Sequence, residues 1–89
     1  MITVKTMSKI DAPTAPKLEE LLNNKYAEDQ DVIIDMADTG YICSVGLRVI
    51  LAFQKKISGN GGSLVIKNVQ PQIMEIFEVT GFVGFLSIE

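Results

Sequence analysis

The sequence predicts an α/β fold built from βαβ units with parallel strand pairing. Three observations carry that expectation. Strand-like and helix-like segments alternate along the whole chain, which is the pattern of parallel sheets with crossover helices. The chain has 89 residues, enough for one small domain and too few for two cores. Each strand has a plainly apolar set of side chains and a mixed opposite set, so the helices are expected on one face of the sheet. A doubly wound sheet would instead show continuous apolar runs.

Taken in order, residues 2–6 alternate apolar with polar, with Ile2 and Val4 against Thr3 and Lys5, a strand signal. Residues 8–14 read as a turn. A helix follows over residues 14–26, with Leu18, Leu21, Leu22 and Tyr26 at helical spacing and Pro16 in the first turn, where proline is tolerated. Residues 31–36 form the second strand, in which Val32, Ile34 and Met36 oppose Ile33 and Asp35. Residues 38–43 read as a connection.

A second helix begins at Ser44, its buried face marked by Leu47, Ile50, Leu51 and Ile57. The run Ser58-Gly-Asn-Gly-Gly62 stops it and turns the chain into the third strand, residues 63–67, with Leu64 and Ile66 inward. A third helix spans residues 71–79, with Ile73, Ile76 and Phe77 inward and Gly81 as its C-terminal glycine. Residues 83–88 close as a fourth strand.

Composition removes many chemistries. The chain has no histidine and one cysteine, so the commonest general base and any Cys/His zinc cluster are absent, and neither a metal nor another cofactor is expected. Eight basic against eleven acidic residues give a net charge of −3, and the pI is near 4.8. That balance offers no basic footprint for nucleic acid or an anionic membrane. Hydrophobic runs stay far below the ~20 residues that cross a bilayer. The N-terminus lacks the apolar stretch of a targeting segment, and a single cysteine fits a reducing cytoplasmic setting.

Ser44 is the residue of greatest interest. Its position before an apolar helical pattern suits an N-cap, where the hydroxyl accepts an orphan N–H for about 0.5–2 kcal/mol. It is also compatible with a phosphorylation switch, because a phosphate there adds about −1.5 to −2 charges at the positive end of a helix. Gly46, two residues on, would keep the first turn open to another molecule. Leu47 would be an apolar contact or core, and Arg48 a charge at the rim. The glycine run at residues 59–62 precedes a strand and so reads as a turn, not a phosphate loop. Glu28, Asp29 and Asp31 read as a solvated acidic loop without calcium-loop spacing. Lys55 and Lys56 sit in the later turns of their helix, where the macrodipole favours cations.

The segment Asp35-Met-Ala-Asp-Thr-Gly-Tyr-Ile-Cys-Ser-Val-Gly-Leu-Arg-Val-Ile-Leu51 resembles the signature of STAS domains, the sulphate transporter and anti-sigma factor antagonist family. Asp11-Ala-Pro-Thr-Ala-Pro-Lys-Leu18 resembles the family's start of the first helix, and Gly61-Gly-Ser-Leu-Val-Ile66 and Ile76-Phe-Glu-Val-Thr-Gly-Phe82 its later strand and turn. The resemblance implies a (βα)n superhelix with strands in sequential order and helices on one side. It also implies a bacterial regulatory module without catalysis, spanning residues 1–89 and lacking the family's extra N-terminal strand and C-terminal helix.

By the same resemblance, Ser44 falls on the phosphate-acceptor position, Asp35 on the strand-end Asp, and Asp11 on the Asp entering the first helix. The implied partner is an anti-sigma factor that is also a GHKL-type serine kinase, contacted through Asp11, Asp35, Cys43, Val45, Gly46, Leu47 and Arg48. Two positions depart from the pattern. Cys43 stands where antagonists most often have Asp or Ser, and Val45 where Ser or Ala is usual. Those departures suit a second expectation, a STAS subunit that clamps the ATPase of an ABC-type lipid transporter without being phosphorylated. Trimmed ends would also allow a homodimer.

Overall fold

Strand pairing follows the alternation seen in the sequence. In the computed structural model, which describes residues 2–25, 31–84 and 86–89, four parallel strands form the main sheet. These are β1 (Ile2–Lys5), β3 (Asp31–Asp35), β5 (Ser63–Lys67) and β6 (Ser87–Ile88), in that spatial order. Helices α1 (Ala15–Lys25), α2 (Ser44–Gly59) and α3 (Pro71–Thr80) occupy the three crossovers. Strand order therefore follows chain order, as expected.

The register places Val4, Ile34 and Ile66 side by side across three strands, with Val32 beside Leu64. All five are buried and share one core cluster with Leu18 and Leu22 of α1, Ile50, Phe53 and Ile57 of α2, and Ile73 and Phe77 of α3. The opposite row, Thr3, Ile33, Val65 and Ser87, is exposed or half-buried and stands outside that cluster. The helices thus lie on one face. The other face carries surface ion pairs and hydrogen bonds, such as Lys67–Glu89 at 3.6 Å and the Ser63 hydroxyl donating to Asp31 at 2.7 Å.

Several boundaries differ from the sequence reading. Residues expected as a turn and a connection contribute two more strands, β2 (Lys9–Ile10) and β4 (Tyr41–Ile42), which pair in parallel as a separate two-stranded sheet. The expected six-residue fourth strand is shorter. A 3₁₀ turn at Phe82–Gly84 comes first, and the Leu86 N–H donates to the Phe82 carbonyl at 3.0 Å, so helical winding continues past Gly81 before β6 begins. In α2, Leu51 is half-buried while Phe53, not among the residues expected to face inward, is buried. Leu21 and Ile76 are also half-buried at the margins of the core. The expected inward position of Tyr26 lies outside the described residues, as do Glu28 and Asp29.

Helix ends obey local chemistry. At α1 the Asp11 carboxylate accepts the Thr14 N–H at 3.1 Å while the Thr14 hydroxyl accepts the Asp11 N–H at 2.8 Å, a reciprocal capping arrangement. At α3, Pro71 occupies the first turn and Gly81 takes φ 79°, closing the helix through its N–H to the Glu78 carbonyl. Gly61, at φ 84°, makes the turn from α2 into β5.

Candidate functional site

The site begins with the loop between β3 and α2, which is held at nearly every residue. The Asp35 carboxylate accepts the Ala37 N–H at 3.0 Å and the Asn68 amide at 3.1 Å. Asn68 itself adopts φ 61°, a left-handed conformation that Asn tolerates better than most residues. The Ala37 carbonyl accepts from Gln70 at 2.8 Å, and the Gly40 N–H donates to the Ser8 carbonyl at 3.0 Å. Thr39 is fully buried, and its hydroxyl donates to the Met7 carbonyl at 2.6 Å and accepts from the buried Thr6 hydroxyl. These bonds fix where the chain enters α2.

They also set the electrostatics of Asp35. Its carboxyl is held below the ordinary range first by the Ala37 N–H, then by the Asn68 amide, with the Lys5 ammonium adding a smaller push. Lys5 pairs with Asp38 at 3.3 Å on the same edge. Both sit at the C-terminal end of the parallel strands, where α/β sheets place their functional loops.

The last step of the loop is the β2–β4 pairing. Ile10 lies opposite Ile42, and the Cys43 N–H donates to the Ile10 carbonyl at 2.8 Å. That bond keeps Cys43 extended, at φ −98° and ψ 174°, so Cys43 and not Ser44 is the N-cap of α2. Its side chain makes no capping bond. The N-cap expectation for Ser44 is therefore corrected: Ser44 is the first helical residue, exposed, and its hydroxyl has no partner among the described residues. The same pairing sets Asp11, one residue past Ile10, beside Cys43, one past Ile42. The entrances of α1 and α2 are thus neighbours.

The remaining candidates divide by burial. Val45 is 41% exposed, Arg48 is exposed and Cys43 is half-buried, so all three reach the surface around Ser44. Tyr41, at 48%, adds an aromatic ring three residues upstream. Gly46 and Leu47 point the other way. Leu47 is 5% exposed and belongs to the core. Gly46 does not keep the helix open to a visitor, as expected from sequence; it lets α2 sit on the β2–β4 pair. A Cβ there would lie 2.4 Å from Ile10 Cγ2 and 3.1 Å from Ile42 Cγ1. Asp11 and Asp35 likewise spend hydrogen-bonding capacity on the scaffold that delivers Ser44. Sequence reasoning missed Thr6, Thr39 and Asn68, whose roles appear only once distant strands meet. Among the described residues no group of three or more Cys, His, Asp or Glu is placed to hold a metal ion, and no helix is long and apolar enough to cross a membrane.

Comparison with known proteins agrees with this architecture. The whole chain, residues 1–89, matches the STAS domain family, and the protein belongs to it. It is 31% identical to the anti-sigma-B factor antagonist of Bacillus subtilis, over 98% of this chain and 80% of that protein. It is 29% identical to the anti-sigma-B factor antagonist of Listeria monocytogenes, over 99% of this chain and 78% of the relative. Among solved structures, an anti-sigma factor antagonist from Mycobacterium paratuberculosis matches with a TM-score of 0.84 at 22% identity, over 98% of this chain and 75% of that one. At that identity the structural likeness speaks for the fold.

Proposed function

We propose that this protein is an anti-sigma factor antagonist, a regulatory module that docks on an anti-sigma factor and is itself no enzyme. In the finer form of this reading the partner is a GHKL-type serine kinase and Ser44 is the residue it phosphorylates. The observation that carries the reading is Ser44 itself, an exposed hydroxyl without a partner among the described residues, at the first position of a 16-residue helix and delivered by a loop pinned at both ends. The names of the relatives support the coarser part, since they are antagonists rather than transporter subunits.

The switch follows from the surroundings. Val45 and Tyr41 give the helix start an apolar margin that a partner can cover. A phosphate on Ser44 would add about −1.5 to −2 charges to that margin, and burying it against a partner would carry a desolvation cost. The same charge adds to a chain already at −3, so repulsion from an acidic partner surface grows as well. No general base is required of this chain, because the kinase holds the nucleotide.

The test is to mix the protein with a GHKL-type anti-sigma kinase of its own organism and with ATP, then measure mass and affinity. A gain of one phosphate on Ser44, abolished in Ser44→Ala, and at least tenfold weaker binding of Ser44→Asp are expected. Tight binding that ignores both Ser44 variants would leave the antagonist reading and remove the phosphoswitch. Failure to bind any such kinase, with co-purification of a transport ATPase instead, would replace the reading by the transporter one.

A further inference from the structure

A groove of about 380 Å³ runs between α1 and α2, away from the Ser44 hydroxyl but starting at its neighbour Val45. Glu19 and Leu22 line the α1 side, and Val45, Val49, Ala52 and Phe53 the α2 side. Leu22 and Phe53 are already buried in the core and form the floor. What a visitor meets is a stripe of small side chains, Val45, Val49 and Ala52, at positions i, i+4 and i+7 of one helix face. Arg48 and Lys56 border that stripe.

We propose that this groove is a docking surface for an amphipathic helix of a partner protein, one whose apolar edge is flanked by carboxylates. Shape argues for a helix. Two packed helices leave a trough into which the side-chain ridge of a third fits, and small residues along it let the visiting backbone come close. From Val45 to Lys56 the face spans roughly 16 Å at the helical rise, or about three turns of a partner. A single acyl chain would lie on an open surface rather than within a cavity, and gain little burial.

Charge selects the sign. The α2 wall of the groove carries Arg48 and Lys56 and no carboxylate, against the one carboxylate of Glu19 on the α1 wall, in a chain whose net charge is −3. Arg48, at the mouth of the groove, has no ion-pair partner among the described residues and five N–H donors. Lys56 already donates to Asn23 Oδ1 at 3.3 Å, which ties the far end of the groove together. An acidic flank on the side of the incoming helix that lies along α2 would meet Arg48 and be steered by the cationic α2 wall.

Two synthetic 16-residue amphipathic helices test this, identical in their Leu/Ala edge, one flanked by glutamates and the other by lysines. Binding to the full chain is followed by fluorescence anisotropy and by amide chemical shifts. The glutamate peptide is expected to shift Val45, Val49 and Ala52 saturably and to bind about two- to fivefold tighter than its twin, the scale of one exposed ion pair. Arg48→Glu should invert that preference, and Ala52→Trp, which fills the groove from an exposed position, should abolish binding. Shifts mapping elsewhere, equal binding of both peptides, or an Ala52→Trp variant that binds normally would overturn the proposal. So would saturable shifts with laurate and none with either peptide, which would make the groove an acyl site. No kinase enters the assay, so this surface and the Ser44 reading can fail separately.

Discussion

Replacing Gly46 by Ala adds one methyl group, and the structure says where it would go. The new Cβ would stand 2.4 Å from Ile10 Cγ2 and 3.1 Å from Ile42 Cγ1, where ordinary carbon contacts lie at about 3.5–4.0 Å. Something must move by about an ångström. Ile10 has little freedom to do so, because it is fully buried and branched at Cβ. Overpacking of this kind costs about 1–3 kcal/mol, and the better helix propensity of Ala returns up to about 1 kcal/mol. A net loss of about 1–2 kcal/mol is expected, lowering the thermal midpoint by roughly 4–8 °C per kcal/mol in a domain of this size. Gly59→Ala is the control, since nothing lies within 4 Å of its added Cβ. Urea unfolding of both variants, with unchanged m-value, gives the comparison. Pairing Gly46→Ala with Ile10→Ala in a double-mutant cycle should show strong non-additivity, because the second change removes the methyl that is struck. A Gly46→Ala protein as stable as Gly59→Ala, or an additive cycle, would refute the assignment of Gly46 as the contact that seats α2 on the β2–β4 pair.

Two other perturbations address the loop that leads to Ser44. Thr39→Val should destabilise by about 1–3 kcal/mol in urea melts, since it strands the Met7 carbonyl and leaves the buried Thr6 hydroxyl only its 3.4 Å bond to the Asp35 carbonyl; adding Thr6→Val should recover part of the loss, and full stability of the single variant would contradict the buried chain of hydroxyls. Asp35 has a folded pKa below its ordinary 3.8, so the unfolded chain holds its proton more tightly than the folded one. Its contribution to stability is then complete above pH 3.8 and is lost as pH falls through the lower folded value. Asp35→Asn should therefore show a constant deficit against the parent protein near neutrality that narrows under acid, read as urea midpoints from pH 6 down to pH 3. A deficit that widens in acid would reverse the assignment.

The parts of the fold that repeat were legible in the sequence, and the parts made by single contacts were not. Period-two alternation in residues 2–6, 31–36 and 63–67 exposed one wet face, because every second side chain on a strand must share a fate. Strands β2 and β4 are two residues each and have no period to read; they exist because Ile10 and Ile42 meet under α2. Residues 83–88 have a strand's composition, yet the 3₁₀ turn that follows the left-handed Gly81 takes Val83 and Gly84 from that segment. Ser44 was visible as a chemical group, while its exact place in the helix depended on a backbone bond from Cys43 to Ile10, 33 residues away in the chain. Gly46 could be seen to matter, but the side on which its missing Cβ mattered is a tertiary fact.

This division explains why Asp11, Asp35 and Gly46 stand beside Ser44 in the sequence signature although each faces the scaffold. Under the proposed function, presenting the Ser44 hydroxyl to a second protein requires that the helix start be stationary, since every mobile residue must be ordered on binding at about 0.5–1.5 kcal/mol apiece. Asp11 caps the neighbouring helix, Asp35 and Asn68 hold the loop at its origin, Thr39 pins its middle, and Gly46 seats its end. A substitution at any of these would weaken docking without touching the partner. Loss of binding alone therefore does not identify a contact residue in this domain. The distinction comes from stability: Val45 and Arg48 variants should lose affinity at unchanged urea midpoint, whereas scaffold variants should lose both together.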